Sequence, residues 1–186
     1  MKNAETRGDT LKYQMVGLLP RLRRFARSLA RDPDKADDLV QAACERALGR
    51  LGQIAEGTRL DSWLYRIIYT QWIDHLRRRK TRHVKLSLLS NENKSNTSTT
   101  ESGEHLDVAL DLQNALNALP EDQRAAIMLV CVEGNSYAEA ATVMEIPAGT
   151  VASRVARART TLGKFLYKKS PQIFHTNHRE RIEGKK

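Results

Sequence analysis

Ser136-Tyr137-Ala138-Glu139, then Glu145-Ile146-Pro147-Ala148-Gly149, then Thr150-Val151-Ala152-Ser153-Arg154-Val155-Ala156-Arg157-Ala158-Arg159 is the stretch on which the fold turns. Ser136 and Glu139 have the Ser-x-x-Glu spacing at which each side chain satisfies the other's backbone N–H and opens a helix. The proline and glycine of 145–149 break that helix. From about Ala148 to Tyr167 a last helix is predicted, with Val151, Val155, Ala158 and Leu162 buried at three- and four-residue steps. A short helix, a tight turn and a long basic helix make a helix-turn-helix.

In that motif the second helix lies in the DNA major groove and its N-terminal residues meet base edges. Burial of Val151 and Val155 leaves Thr150, Ser153, Arg154 and Arg157 together on the opposite side. Arg reads guanine bidentately, and either Arg or Ser binds phosphate. The competing reading is a solvated basic face on a packing helix. Upstream of the motif, Leu106, Ala109, Leu110, Gln113, Leu116 and Leu119 predict an amphipathic helix closed by Pro120. Pro120-Glu121-Asp122 opens the next helix with acid at its positive end, and Gly134 stops it.

Further upstream the composition collapses. Between Leu89 and Leu106 there is no aliphatic or aromatic residue, only Ser, Asn, Thr, Glu, Lys, Gly and His. Such a segment cannot offset its ordering entropy by burial. Residues 83–105 are therefore predicted to be a flexible tether, averaging roughly 25 Å end to end. It separates a first helical domain (10–82) from the helix-turn-helix domain (106–168), with a basic, disordered tail at 169–186. In the first domain, Leu11, Met15, Leu18, Leu22, Phe25 and Leu29 predict one helix. Asp32-Pro33 supplies an N-cap and a first-turn proline for a second helix, with Ala36, Val40, Ala43, Ala47 and Leu51 on one face. Gly52 and Gly57 bracket a loop. A third helix starts near Asp61-Ser62, with Trp63, Leu64, Ile67 and Ile68 inward. The fold class is all-α, two small helical domains on a linker.

Charge narrows the function. Across 186 residues, 31 Lys and Arg oppose 22 Asp and Glu, a net +9. The basic residues cluster at Arg21–Arg31, at Arg77-Arg78-Arg79-Lys80 and along the last helix, whereas Asp32, Asp34, Asp37, Asp38 and Glu45 form an acidic island. Segregated signs suggest two kinds of partner surface. The longest apolar run, Ala125–Val132, is eight residues, against about 20 for a bilayer span. Cys44 and Cys131 have no His or Cys neighbours at metal spacing. The tyrosines and His75 or His83 show no nucleophile or acid–base constellation. No catalytic residue, metal, cofactor or small-molecule substrate is implied.

These motifs resemble a known family. Leu119-Pro120-Glu121-Asp122-Gln123-Arg124, Tyr137-Ala138-Glu139-Ala140-Ala141 and Gly149–Arg159 look like region four of bacterial sigma factors of the extracytoplasmic-function (ECF) group, within the sigma-70 family. Ala36-Asp37-Asp38-Leu39-Val40-Gln41 and Trp63-Leu64-Tyr65-Arg66-Ile67-Ile68, with Asp74 and Arg77, look like region two. The resemblance implies a non-enzymatic, cytoplasmic bacterial initiation factor. Its partners would be core RNA polymerase (clamp coiled coil and flap), promoter DNA and an anti-sigma factor.

By that resemblance Asp37, Asp38, Leu39 and Gln41 dock on polymerase. For Leu39 the bland alternative is core packing, and for Asp37 and Asp38 complementarity to a helix N-terminus. Trp63 is read as a packing residue with one edge near DNA. Thr58, Arg59 and Asp61 fall where the family holds an unstacked base of the minus-ten element. Thr70 stands where the family often has Asn. Arg77, Arg78, Arg79 and Lys80 suit phosphates of the duplex entering the bubble, or else a solvated helix end. Thr150, Ala152, Ser153, Arg154 and Arg157 face the minus-thirty-five duplex. Ala152 and Ala156 are small where relatives carry larger side chains, which shifts weight toward DNA shape. The alternative function is a helix-turn-helix regulator with an N-terminal sensor or dimerisation domain.

Overall fold

The computed structural model describes residues 2–55, 57–87 and 108–169. Among them are seven α-helices and no strand: α1 (Lys2–Ala30), α2 (Pro33–Leu48), α3 (Leu60–Ser87), α4 (Val108–Ala118), α5 (Glu121–Ile127), α6 (Tyr137–Met144) and α7 (Ala148–Lys169). The chain divides into two compact units, 1–106 and 107–186. Most of the expected tether and tail, 88–105 and 170–186, lies outside the described residues. Residues 83–87, expected in the tether, instead continue α3. His83-Val84-Lys85-Leu86-Ser87 contains no glycine or proline to stop a helix.

In the first unit, α1, α2 and α3 pack pairwise on one another. Leu22, Phe25 and Leu29 of α1 meet Ala36, Val40, Ala43 and Ala47 of α2 and Leu64, Tyr65, Ile68 and Trp72 of α3, all buried. The alanine row on α2 lets the helix axes approach, and the aromatic rings fill what remains. Phe25 and Tyr65 cross edge-to-face, with ring centroids 5.2 Å apart. Asp32 caps α2 by accepting from the N–H groups of Asp34 and Lys35, with Pro33 in the first turn. Trp63 and Ile67 are only half-buried, against the inward position expected for them. The buried row on α3 runs instead through Leu64, Ile68 and Trp72 at four-residue steps.

In the second unit α7 is the axis on which α4, α5 and α6 pack. Leu119, Ile127 and Ala158 form a core that Leu116 and Leu162 cover. Leu110, expected on the inner face of α4, is 51 % exposed. It sits about 140° round the helix from buried Ala115. α5 runs into a wider turn at 128–132 with π-helical hydrogen bonding. Gly134 then reverses the chain at φ 73°. Ser136 Oγ accepts from the Glu139 N–H and Glu139 Oε2 from the Ser136 N–H, the reciprocal cap expected from spacing. Glu145 closes α6 in the left-handed region, at φ 55°, and Pro147 accepts from Thr150 N and Val151 N to start α7.

Candidate nucleic-acid interface

On α7, Val151, Val155 and Ala158 are buried, so the helix presents Ala152, Ala156 and Arg157 to solvent. Thr150 and Ser153 are half-buried, and Ser153 Oγ donates to the Thr150 carbonyl at 2.9 Å. Arg157 has no ion pair among the described residues. Arg154 differs from it. Its Nε lies 3.0 Å from Asp122 Oδ2 in the first turn of α5, and the side chains are 21 % and 44 % exposed. Of the five expected groove residues, Thr150, Ser153 and Arg157 fall within about 60° of one another round α7, Ala152 lies about 100° or more away from them, and Arg154 is engaged in a clasp. Sequence spacing carries no signal for a pair 32 positions apart. It also misses Arg124, whose wholly buried side chain donates from Nη1 to the Leu119 carbonyl at 2.9 Å and ties the α4–α5 corner. Unpaired, such a donor would be costly to bury.

In the first unit the loop before α3 turns through Gly57 at φ 81°, and Thr58 N donates to the Ala55 carbonyl at 3.2 Å. Thr58 and Arg59 are exposed. Arg59 forks onto Asp61, Nε to Oδ1 at 3.1 Å and Nη2 to Oδ2 at 2.7 Å. Arg21 of α1 approaches the same carboxylate at 3.7 Å and lies 5.9 Å from the centre of the Tyr65 ring. The Asp61 side chain is only 12 % exposed. Burial alone would push its carboxyl up. The Arg59 hydrogen bonds, the Ser62 N–H and the charges of Arg59 and Arg21 outweigh it and hold the group below the ordinary range. The structure therefore brings Arg59 and Asp61 together and adds Arg21, which in the sequence is one of a run of basic residues.

Thr70 is half-buried about 14 Å further along α3. Beyond it Arg77 pairs with Asp74 at 3.5 Å, and the exposed Arg78, Arg79 and Lys80 have no partner among the described residues. On α2, Asp37 lies 3.6 Å from Arg23 and Gln41 Nε2 donates to Glu45 Oε1 at 3.0 Å. Leu39 is half-buried and Asp38 exposed with no partner among the described residues. No group of His, Cys, Asp or Glu among the described residues has metal-binding geometry. None of the described helices is long and apolar enough to cross a membrane.

Two helical units, the first with a basic helix end and the second with a helix-turn-helix, define a DNA-binding protein of bipartite type. Family models identify both: residues 16–82 match sigma-70 region 2 and residues 109–162 match sigma-70 region 4. The ECF RNA polymerase sigma factor EcfG of Rhodopseudomonas palustris (strain TIE-1) is 36% identical over 161 residues, 86% of each chain. SigM of Mycobacterium tuberculosis is 34% identical over 78% of this chain and 71% of its own. The sigma factor RpoE of Bartonella quintana, solved in complex with the anti-sigma factor NepR, superposes with a TM-score of 0.68 at 36% identity, covering 83% of this chain and 95% of that one. The chain belongs to the ECF sigma factors of the sigma-70 family.

Proposed function

We propose that this ECF sigma factor docks on core RNA polymerase through Asp37, Asp38, Leu39 and Gln41 of α2 and reads promoters with both units. Thr58, Arg59, Asp61 and Thr70 receive the opened minus-ten strand. Arg77, Arg78, Arg79 and Lys80 follow the phosphates of the adjoining duplex. Thr150, Ala152, Ser153 and Arg157 meet the minus-thirty-five groove, with Arg154 beside them. The observation that carries this reading is the order of two family matches on one chain, region two then region four. A simple helix-turn-helix regulator leaves the first match unexplained. The small residues at 152 and 156 let α7 approach the duplex closely with few long side chains, which favours recognition through groove shape. The chain works in the cytoplasm, performs no chemistry of its own, and is held inactive by an anti-sigma partner; its structural relative was solved in complex with the anti-sigma factor NepR.

Run-off transcription with core polymerase on a promoter library is the test. The full chain should select a subset of templates sharing two elements, and core polymerase alone should select none. A chain that binds its own operator tightly but confers no start-site choice on core polymerase would be a regulator instead.

A further inference from the structure

One carboxylate in the first unit faces two guanidiniums. Asp61, in the first turn of α3, accepts from Arg59 Nε at 3.1 Å and from Arg59 Nη2 at 2.7 Å. Its Oδ1 also accepts from the Ser62 N–H at 2.8 Å, and Arg21 Nη1 of α1 lies 3.7 Å from its Oδ2. Two cations against one anion leave the cluster positive, which suits a phosphate. The two arginines are held differently. Arg21 rises from a packed helix with its guanidinium carbon 5.9 Å from the centre of the Tyr65 ring. That ring is wholly buried and braced edge-to-face by Phe25. Arg59 stands in the loop that turns through Gly57, 47 % exposed against 35 % for Arg21. The inner arginine is thus seated by the bundle, and the outer one is fastened to the carboxylate from a loop.

Arg59 cannot leave Asp61 freely. The Asp61 side chain is only 12 % exposed, and an enclosed carboxylate stripped of its partner is strongly unfavourable. Left bare, it would also repel an approaching phosphate. A second cation already beside the carboxylate removes both penalties. We infer that Arg21 is a positioning residue of the minus-ten site: it keeps Asp61 neutralised while Arg59 swings from the carboxylate to a phosphate of the incoming single strand. This role rests on the strand-binding function given to Arg59 and Asp61 above, and it adds α1 to a site otherwise built from α3 and the loop before it. Arg21 itself meets no DNA. It stays over Tyr65 in both states and closes on Asp61 as Arg59 departs, while the Ser62 N–H keeps the carboxylate in place.

The test uses the full chain bound to core polymerase, and fluorescent forked fragments of the promoter library in which the minus-ten strand is single. Arg59→Ala should weaken binding about threefold to tenfold and lower the slope of log affinity against log salt by about 0.7, the value for one phosphate on a single strand. Arg21→Met keeps an apolar stem against Tyr65 and removes the charge. It should weaken binding and flatten the slope by about as much, because Arg59 then stays on Asp61. Added to Arg59→Ala or to Asp61→Asn, Arg21→Met should change affinity by less than about twofold. Arg21→Lys, which returns a cation to the carboxylate, should bind within about twofold of wild type. If Arg21→Met costs as much in the Asp61→Asn background as alone, Arg21 serves only the packing of α1 on α3 and the inference falls. Full additivity with Arg59→Ala would mean that Arg21 contacts the strand itself, which also overturns it. If Arg59→Ala weakens binding while Arg21→Met does not, the minus-ten reading of the loop stands without Arg21. If Arg59→Ala binds like wild type, that reading fails and takes the inference with it. Should Arg21→Met lose helicity, Arg21→Lys decides: wild-type affinity supports the charge role, and a loss of threefold or more at full helicity overturns it.

Discussion

Arg154 Nε of the recognition helix lies 3.0 Å from Asp122 Oδ2 in the first turn of α5, so a guanidinium that spacing aims at DNA also fastens two helices of its own domain. Half-exposed ion pairs are weak, and this one is asymmetric in burial, Arg154 being the more enclosed. Asp122→Asn should therefore lower the stability of the second unit by about 0.5–1 kcal/mol. Arg154→Ala should cost more, because the stem of the side chain packs as well as pairs. A double-mutant cycle by urea unfolding should return a coupling of about 0.5–1 kcal/mol. Additive effects would mean that the two side chains do not interact in solution.

Asp61 gives a pH dependence of definite sign. Its carboxyl is held below the ordinary range in the folded chain, so the stabilisation it contributes is fully present above the unfolded value, about 3.9. That contribution is lost as pH falls through the folded value. Asp61→Asn should destabilise the first unit by about 1.5–3 kcal/mol at neutral pH, the range of hydrogen bonds to a charged group. The gap between wild type and variant should hold to about pH 5 and shrink below pH 4. A gap that persisted unchanged at pH 3 would show that the Arg59–Asp61–Arg21 cluster is not its source.

Local signals were legible in the sequence because they act over one helical turn. Asp32-Pro33 and Ser136–Glu139 are bound as their spacing predicts, and the alanine–valine face of α2 is buried throughout. Contacts across the chain were not. The sequence pattern puts Trp63 inward, yet Trp72 takes that place, because the rotation of α3 against α1 and α2 decides which row is covered and periodicity alone fixes only the row's spacing. Leu110 was misplaced for the same reason on α4. The resemblance expects Arg59 and Asp61 at a site, but their mutual fork and the approach of Arg21 from another helix follow only from the assembled bundle. The position of Asp122 in the sequence signals only a complement to a helix dipole and gives no hint of its partner on α7.

The two arginines on α7 make opposite predictions about salt. Binding to duplex DNA releases roughly 0.9 counterion for each phosphate neutralised. Arg157 is exposed and has no ion pair among the described residues, so its full charge is available to the backbone or to a guanine edge. Arg157→Ala should weaken binding of the full chain to a minus-thirty-five duplex by about 1–2 kcal/mol, and flatten the plot of log affinity against log salt by about 0.9. Arg154 already has Asp122 at 3.0 Å, and a cation neutralised within the protein displaces few counterions from DNA. Arg154→Ala should weaken binding by disturbing the seat of α7, with the slope unchanged within about 0.3. Equal slope changes in the two variants would mean that Arg154 leaves Asp122 on binding and contacts phosphate as Arg157 does.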